Sequence, residues 1–205
     1  MKLRLKGLCL FVLLLSAALF LAGCGGKTVT RIPVEQVKDI SGRWNDTDSR
    51  LVADEMIRDC LERPWLPDFT AAHGGKRPDI IVGRIRNKSY EHINTETFVI
   101  DLQRAITNSG RASFVAANEE REDVRKERLD QDINAAEASR KAPGKEAGAD
   151  YMLSGSINAI VDEEKGEKVV FYQVNLVLTS MADNRQVWFG DKKIKKFIEN
   201  GGVRF

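Results

Sequence analysis

Few residues in this sequence could support catalysis. The chain has only two histidines: His73 lies in a glycine-flanked stretch that predicts a flexible loop, and His92 precedes a predicted helix cap. A serine or cysteine nucleophile needs a positioned base, and neither histidine lies near a nucleophile motif such as G-x-S-x-G. We therefore expect no catalytic residues and a chain that is not an enzyme.

The cysteines argue against metal and disulfide chemistry as well. Of the three, Cys9 lies inside an N-terminal apolar run, Cys24 follows that run, and Cys60 falls on the apolar face of a predicted helix. No H-x-x-H or C-x-x-C spacing is present, and the stretch 74–76 lacks the rest of a phosphate-binding loop. We expect no metal, no cofactor and a buried Cys60 that packs as a small apolar side chain.

The N-terminus carries the most specific motif. Three basic residues occur among the first six, an apolar run spans residues 8–21, and the run ends in Leu21-Ala22-Gly23-Cys24. A basic region followed by a short apolar run is typical of an export signal, and this run is shorter than the roughly 20 residues of a transmembrane helix. The ending resembles the bacterial lipobox, which implies lipid on Cys24 and cleavage after Gly23. The alternative is a conventional signal with an incidental cysteine.

Charge and composition define the rest of the chain. Its 32 basic and 30 acidic residues nearly balance, which argues against nucleic-acid binding by bulk electrostatics. We interpret residues 1–23 as a lipoprotein signal peptide, 24–42 as the lipidated cysteine and a short tether, 43–200 as a single globular domain and 201–205 as a tail. Residue 25 is Gly rather than Asp, which favours the outer membrane, facing the periplasm, over retention in the inner membrane.

Hydrophobic periodicity predicts the element order α, β, α, β, α, β, β, β within the domain. This order favours an α+β fold, with an antiparallel sheet of four to five strands flanked by helices. The predicted segments are a helix after Asn45 that ends at Pro64, a strand Asp79–Ile85, a polar loop Asn87–Asn94, a helix ending at Gly110, a strand Ala112–Ala117, an exposed charged helix Glu119–Asp132, a helical turn Lys145–Ala147, and strands Tyr151–Val161, Val169–Met181 and Gln186–Lys196.

Several of these segments together resemble one known family, the penicillin-binding protein activator LpoB family, over about residues 41–197. The resemblance implies a fold like the TolB N-terminal domain. It also implies an outer-membrane lipoprotein that activates a class A bifunctional penicillin-binding protein and so regulates peptidoglycan synthesis; peptidoglycan itself is a further candidate partner. The tether is shorter than the proline-rich tether of the family. The matching stretches are Ser41–Met56, Asp79–Arg86, Asn94–Ile106, Gly148–Gly155 and Asn184–Gly190.

Two function hypotheses remain open. The first is an activator that docks on a synthase through its sheet or loops, with Tyr90 in the polar loop as the candidate contact; the alternative for this loop is an ordinary connector. The second is an envelope assembly or secretion accessory that oligomerises through an edge strand. The Lys192–Lys196 segment argues against edge pairing, because lysines discourage the addition of a strand.

The lipobox generates the first testable prediction. Cys24→Ser should leave unprocessed precursor that carries no lipid, because the thiol is the acceptor, whereas Cys9→Ser should be processed normally. Metabolic labelling with a radioactive fatty acid, followed by membrane fractionation, measures both variants. Normal labelling of the Cys24→Ser chain would contradict the lipoprotein interpretation.

Overall fold

The computed structural model describes residues 28–116, 118–141, 144 and 146–199. Residues 28–36 belong to one unit and residues 37–199 to another, and each is described by itself. Residues 28–36 are exposed, with one turn in which the Gln36 amide donates to the Pro33 carbonyl at 3.1 Å. The predicted signal peptide, Cys24 and the tail 201–205 lie outside the described residues.

The described part of the second unit contains four helices and five strands. The predicted α+β class is therefore confirmed, and five is the upper of the two strand counts expected. The helices are α1 (Asp46–Glu62), α2 (Trp65–Ala72), α3 (Thr95–Ser109) and α4 (Asn118–Asn134), and the strands are β1 (Asp79–Asn87), β2 (Ser113–Phe114), β3 (Tyr151–Glu164), β4 (Glu167–Ser180) and β5 (Gln186–Glu199).

All five strands form one mixed sheet in the order β2-β1-β3-β4-β5. The last three strands pair antiparallel as a meander, as the short turns between them predict. The expectation of a purely antiparallel sheet is wrong, because β1 pairs parallel with both β2 and β3. Parallel neighbours need a long crossover connection, and the helices α3 and α4 lie in the connections that allow it.

The strand boundaries also differ from the prediction. The segment predicted as a strand over 112–117 forms only the two residues of β2, whereas β3, β4 and β5 each extend over 14 residues. A two-residue turn joins β3 to β4, in which Lys165 and Gly166 both have positive φ, 51° and 87°. Two such residues match the twist of the flanking strands in a tight hairpin.

The sequence analysis missed one helix. Pro64 follows the end of α1, as expected, but it also precedes α2, whose first residue is Trp65. Proline suits the start of a helix, because its fixed φ is helical and its missing N–H is not needed there. The expectation that His73 lies in a flexible loop is therefore wrong: His73 caps the C-terminus of α2, and its Nδ1 lies 2.8 Å from the Phe69 carbonyl.

The core lies between one face of the sheet and the helices α1 and α3. Alternate β4 side chains point into it, namely Val170, Tyr172, Val174, Leu176 and Leu178, each at most 1% exposed. Burying each aliphatic side chain contributes about 1.5–3 kcal/mol to folding. On the opposite face of β5, Phe189 and Phe197 are 61% and 62% exposed, so these positions of the sheet are open to solvent.

Helix α4 confirms the predicted exposed charged helix and extends slightly beyond it, over Asn118–Asn134. Its guanidinium groups reach a following segment, where Arg125 and Arg128 both pair with Glu146. Lys126 pairs with Asp123 at 3.6 Å rather than with Glu122, the partner suggested by i,i+4 spacing. The predicted turn at 145–147 includes Lys145, which lies outside the described residues, and residues 146 and 147 are not helical.

A lysine on β5 joins the strand to the start of the domain. Lys196 Nζ lies 2.8 Å from Asp39 Oδ1, 3.1 Å from the Arg43 carbonyl and 2.5 Å from Asp48 Oδ2. Burial opposes the charge of Lys196, but the hydrogen bonds to Asp39 and Asp48 outweigh it and raise the lysine pKa. Asp48 also closes a capping box with Asn45 at the start of α1. Residues 39–48 are thereby fixed against the edge strand.

Gly155 on β3 offers a test of how closely β3 and β4 approach each other. A Cβ at this position would lie 2.2 Å from the Asn175 carbonyl oxygen on β4, and backbone cannot move aside as a flexible side chain can. Gly155→Ala should therefore lower the free energy of unfolding by about 1–3 kcal/mol, measured by urea denaturation. The matched control is Gly148→Ala, where nothing lies within 4 Å and the change should stay within about 0.5 kcal/mol. Equal stabilities for the two variants would contradict the close approach of β3 and β4.

Candidate docking surface

A hydrogen-bonded loop connects β1 to α3. We call residues 88–93 the Tyr90 loop. Asn87, at the end of β1, donates from Nδ2 to the Glu91 carbonyl at 2.7 Å and accepts from both the amide and the hydroxyl of Ser89 at 2.9 and 2.7 Å. Asn94 then caps α3 by accepting from the Glu96 amide. Asparagine suits both positions because its short amide competes well for nearby backbone groups.

The carboxylate of Glu91 fixes this loop to the domain. Its Oε1 accepts from the hydroxyl of Tyr172 on β4 at 2.7 Å, and its Oε2 accepts from the backbone amide of Trp44 at 3.1 Å. Burial raises the pKa of Tyr172, and the hydrogen bond to Glu91 raises it further, so the hydroxyl remains a donor at neutral pH. The Trp44 ring packs edge-on against Tyr172, with 5.6 Å between ring centroids.

Tyr90 is left on the outside of this fixed loop. Its side chain is 90% exposed, while the neighbouring Ser89 and Glu91 are held by the hydrogen bonds above. An exposed tyrosine on an ordered loop loses little conformational entropy when a partner covers it, and tyrosine is enriched among the residues that dominate binding energy. The geometry therefore suits a contact with another macromolecule.

The other residues singled out from the sequence are not assembled into one site. Cys60 is buried at 2% exposure, as expected. His73 stacks on Phe69 at the end of α2, with 3.9 Å between ring centroids. His92 lies exposed in the Tyr90 loop. Within the described residues, no group of three or more His, Cys, Asp or Glu side chains could hold a metal ion. Cys24 lies outside them.

Burial makes Cys60 a poor nucleophile. Desolvation, with a further contribution from the charge of Asp59, raises the pKa of its thiol to about 12. The nearby Trp65 donates from Nε1 to the Cys60 carbonyl at 2.7 Å and helps to close the site. Thiolate, not thiol, is the reactive form, so the described structure assigns Cys60 to packing.

Sequence reasoning found Tyr90 but missed Glu91. The polar character of the loop indicated exposure, and Tyr90 was its one aromatic residue. Glu91 carries no such indication, because its partner Tyr172 is 81 positions away along the chain and a glutamate in a polar loop is unremarkable by itself. The only available hint was that Tyr172 falls on the apolar face of its strand, where a buried hydroxyl needs an acceptor.

Comparison with known proteins identifies the family. The family model described as peptidoglycan-synthase activator LpoB matches residues 48–194, which is most of the chain. This chain belongs to the LpoB family. The match includes the Tyr90 loop, α1 from Asp48 onwards and every strand up to the middle of β5. The resemblance noted from the sequence is thereby confirmed.

Solved structures of LpoB are among the similar folds. The chain is 15% identical to the LpoB C-terminal domain from Salmonella enterica, covering 73% of this chain and 99% of that one, with a TM-score of 0.42. It is 14% identical to the LpoB C-terminal domain from Escherichia coli, covering 73% of this chain and 99% of that one, with a TM-score of 0.41. It is 13% identical to lipoprotein GNA1162 from Neisseria meningitidis, covering 62% of this chain and 88% of that one, with a TM-score of 0.38. The comparison with curated proteins found no match.

LpoB proteins are envelope lipoproteins that act as regulatory activators of peptidoglycan synthases rather than as enzymes. Among the described residues of this chain, none of the helices combines the length and apolar character that a membrane span requires.

The environment of Cys60 predicts its reactivity. In the lipid-free chain, residues 25–205, Cys60 is the sole thiol. The raised pKa alone lowers its thiolate fraction roughly 1,000-fold at pH 8, so a maleimide should label the native protein slowly and the urea-unfolded protein rapidly. A Cys60→Ala, Ser139→Cys chain, whose thiol is exposed, provides the fast control. Equally fast labelling of native Cys60 would show that the thiol is accessible.

Proposed function

We propose that this chain is an outer-membrane lipoprotein, anchored by lipid on Cys24, whose domain binds and activates a class A bifunctional penicillin-binding protein. The observation that carries the proposal is the family match over residues 48–194. The lipobox ending at Cys24 supports the anchor, and Gly25 supports the outer membrane as its destination. We propose that the domain acts without catalysis of its own. The burial of Cys60 and the positions of His73 at the end of α2 and His92 in the Tyr90 loop support this proposal.

Docking is proposed to centre on the Tyr90 loop. The hydrogen bonds of this loop with Asn87, Tyr172 and Trp44 fix the backbone on either side of Tyr90, so little ordering is required on binding. Activation then needs only that the domain binds the active conformation of the synthase more tightly than the inactive one. The free energy for the shift comes from that difference in affinity, and no chemical step by the lipoprotein is needed.

The length of the tether constrains where the partner must lie. Residues 39–43 contact β5 through Lys196, so the segment from Cys24 to the first contact has about 14 residues and spans at most roughly 50 Å. The synthase must therefore expose its docking site within that distance of the lipid-bearing membrane plus the length of the domain itself. Lipid anchoring raises the effective concentration of the domain near such a partner.

A specific observation also favours the second hypothesis, an assembly accessory that oligomerises. β5 is an edge of the sheet, and no backbone hydrogen bond in the described residues links it to anything other than β4. Such an edge can accept a further strand. Two copies of β5 would, however, bring the lysines of 192–196 together, which disfavours self-pairing.

The activator proposal predicts the result of a polymerisation assay. The lipid-free chain should raise the rate of glycan polymerisation by a purified class A synthase from the same cell, and should produce no glycan and cleave none by itself. Tyr90→Ala should raise the concentration needed for half-maximal stimulation about tenfold or more, the loss expected of a central interface tyrosine. Tyr90→Phe should retain much of the effect.

Val124→Ala, on α4 and 45% exposed, is the control and should behave as wild type. If the Tyr90→Ala chain unfolds at the same urea concentration as the wild type, its weaker stimulation of the synthase reflects a lost contact and not a destabilised fold. Failure of the wild-type chain to bind or stimulate any penicillin-binding protein of the cell would overturn the activator proposal, and a defined oligomer would support the accessory instead.

A further inference from the structure

The long strands of the sheet have one face that is not part of the core. Alternate residues of β4 point into the core with α1 and α3, and the residues between them point the other way. Among the described residues, no side chain on that other side is fully buried in the middle of β3 or β4. We call this side the open sheet face. In other folds, such faces bind extended ligands, including oligosaccharides.

A band of hydroxyl and amide side chains crosses the middle of the open sheet face. The strand register pairs Ser156 with Asn175 and Asn158 with Gln173, so the four side chains lie side by side on β3 and β4. Asn158 Nδ2 donates to the Ser156 hydroxyl oxygen at 3.2 Å, and Gln173 Nε2 donates to Asn175 Oδ1 at 3.1 Å. We call these four residues the polar band.

The polar band keeps hydrogen-bonding groups for a ligand. Within the described residues, Asn158 Oδ1, Gln173 Oε1 and Asn175 Nδ2 make no hydrogen bond, and none of these three atoms is buried. Because the side chains already bond one another, these groups are held in place as two acceptors and one donor. The hydroxyl and acetamido groups of a sugar chain both donate and accept, so they complement this set.

Basic side chains without acidic partners flank the polar band. Arg86 on β1 lies in register with its serine, and Arg84 and Lys88 are exposed two residues before and after it. None of these three side chains forms an ion pair or hydrogen bond with any described residue. Asp191, which continues the same row on β5, is paired with Lys193 at 3.0 Å. The β1 side of the band therefore complements an anionic ligand.

Apolar side chains lie at both ends of the polar band. Phe189 is 61% exposed and pairs with Val177, and Ile160 is 66% exposed and pairs with Phe171. The two rows, at positions 171 and 177 of β4, are about 20 Å apart. A protein interface usually has an apolar centre and a polar rim, and this surface has the reverse order. Sugar rings, which have apolar C–H faces and polar edges, suit it better.

We propose that the open sheet face binds a strand of peptidoglycan, an N-acetylated glycan whose peptides carry carboxylates. The hydroxyl and acetamido groups meet the polar band, the ring faces cover Phe189 and Phe171, and a peptide carboxylate pairs with Arg86, whose planar guanidinium suits that group. A nucleic acid or a phospholipid surface presents phosphates in every unit and would not use the neutral amides.

This inference goes beyond the proposed function, since it assigns a second partner to a different surface. The family description names a peptidoglycan synthase, so this glycan is the polymer found where such a partner works. The Tyr90 loop begins at the end of β1, where the Lys88 amide donates to the Ile157 carbonyl at 2.8 Å. A domain that used both surfaces would hold a synthase beside an existing glycan strand.

The test uses a purified disaccharide tetrapeptide from peptidoglycan as the probe and needs no synthase. In a ¹H–¹⁵N spectrum of the lipid-free chain, the side-chain amides of Asn and Gln give their own signals. The probe should shift those of Asn158, Gln173 and Asn175 saturably. The signal of Asn134 on α4, which donates to Asp130, should stay in place. Chitotetraose, which has acetamido groups but no carboxylate, should shift the same signals with lower affinity.

Variants separate the sugar contacts from the charge. Asn158→Ala with Gln173→Ala should weaken binding of both probes about tenfold, the effect of two lost hydrogen bonds. Arg86→Gln should weaken binding of the disaccharide tetrapeptide about threefold to fivefold, as for an exposed ion pair, and should leave chitotetraose binding unchanged. Arg111→Gln, the same change at an exposed arginine away from this face, is the matched control and should alter neither affinity.

Three outcomes would overturn the proposal. The first is no saturable shift of the polar-band signals in the wild-type chain, a result that does not depend on whether any variant folds. The second is equal or tighter binding of poly-glutamate, which would assign the face to an acidic protein segment. The third is equal or tighter binding of phosphatidylglycerol vesicles, which would assign it to a membrane surface.

The two proposals can fail separately. If the lipid-free chain stimulates a synthase but the disaccharide tetrapeptide leaves the polar-band signals unmoved, the glycan proposal fails and the activator proposal stands. If the probe binds to the polar band but no penicillin-binding protein responds to the chain, the glycan proposal stands and the activator proposal fails.

Discussion

The hydrogen bonds of one carboxylate organise the functional end of this domain. Glu91 joins the Tyr90 loop to β4 through the Tyr172 hydroxyl and to the start of α1 through the Trp44 amide. A buried tyrosine without an acceptor would be costly, so the sheet and the loop stabilise each other. Because of this link, Tyr90 is presented on a fixed loop. A flexible loop would not hold Tyr90 in one position.

Local patterns were sufficient for most of the fold. The spacing of apolar residues in α1 and α3, the capping asparagines and the Lys165–Gly166 turn all act within a few residues, so the sequence predicts them well. The parallel pairing of β1 was not predictable in this way, since it depends on which strands meet across long connections. Helix α2 was missed because Pro64 was interpreted only as the end of a helix, although proline also favours the start of one.

The candidate site was predictable only at its surface. A polar loop with one tyrosine indicates an exposed aromatic residue, and Tyr90 is indeed exposed. The groups that position it, Glu91 and Tyr172, are 81 residues apart, and no local pattern connects them. Long-range packing, rather than residue type, creates this arrangement.

Photocrosslinking in cells tests the central claim most directly. A photoreactive amino acid at position 90, in the lipidated protein, should crosslink to a class A penicillin-binding protein, identified by mass spectrometry of the adduct. The same amino acid at position 124, on α4, should give no such adduct. Crosslinking at position 90 to a second copy of this chain, or to no synthase at all, would contradict the account.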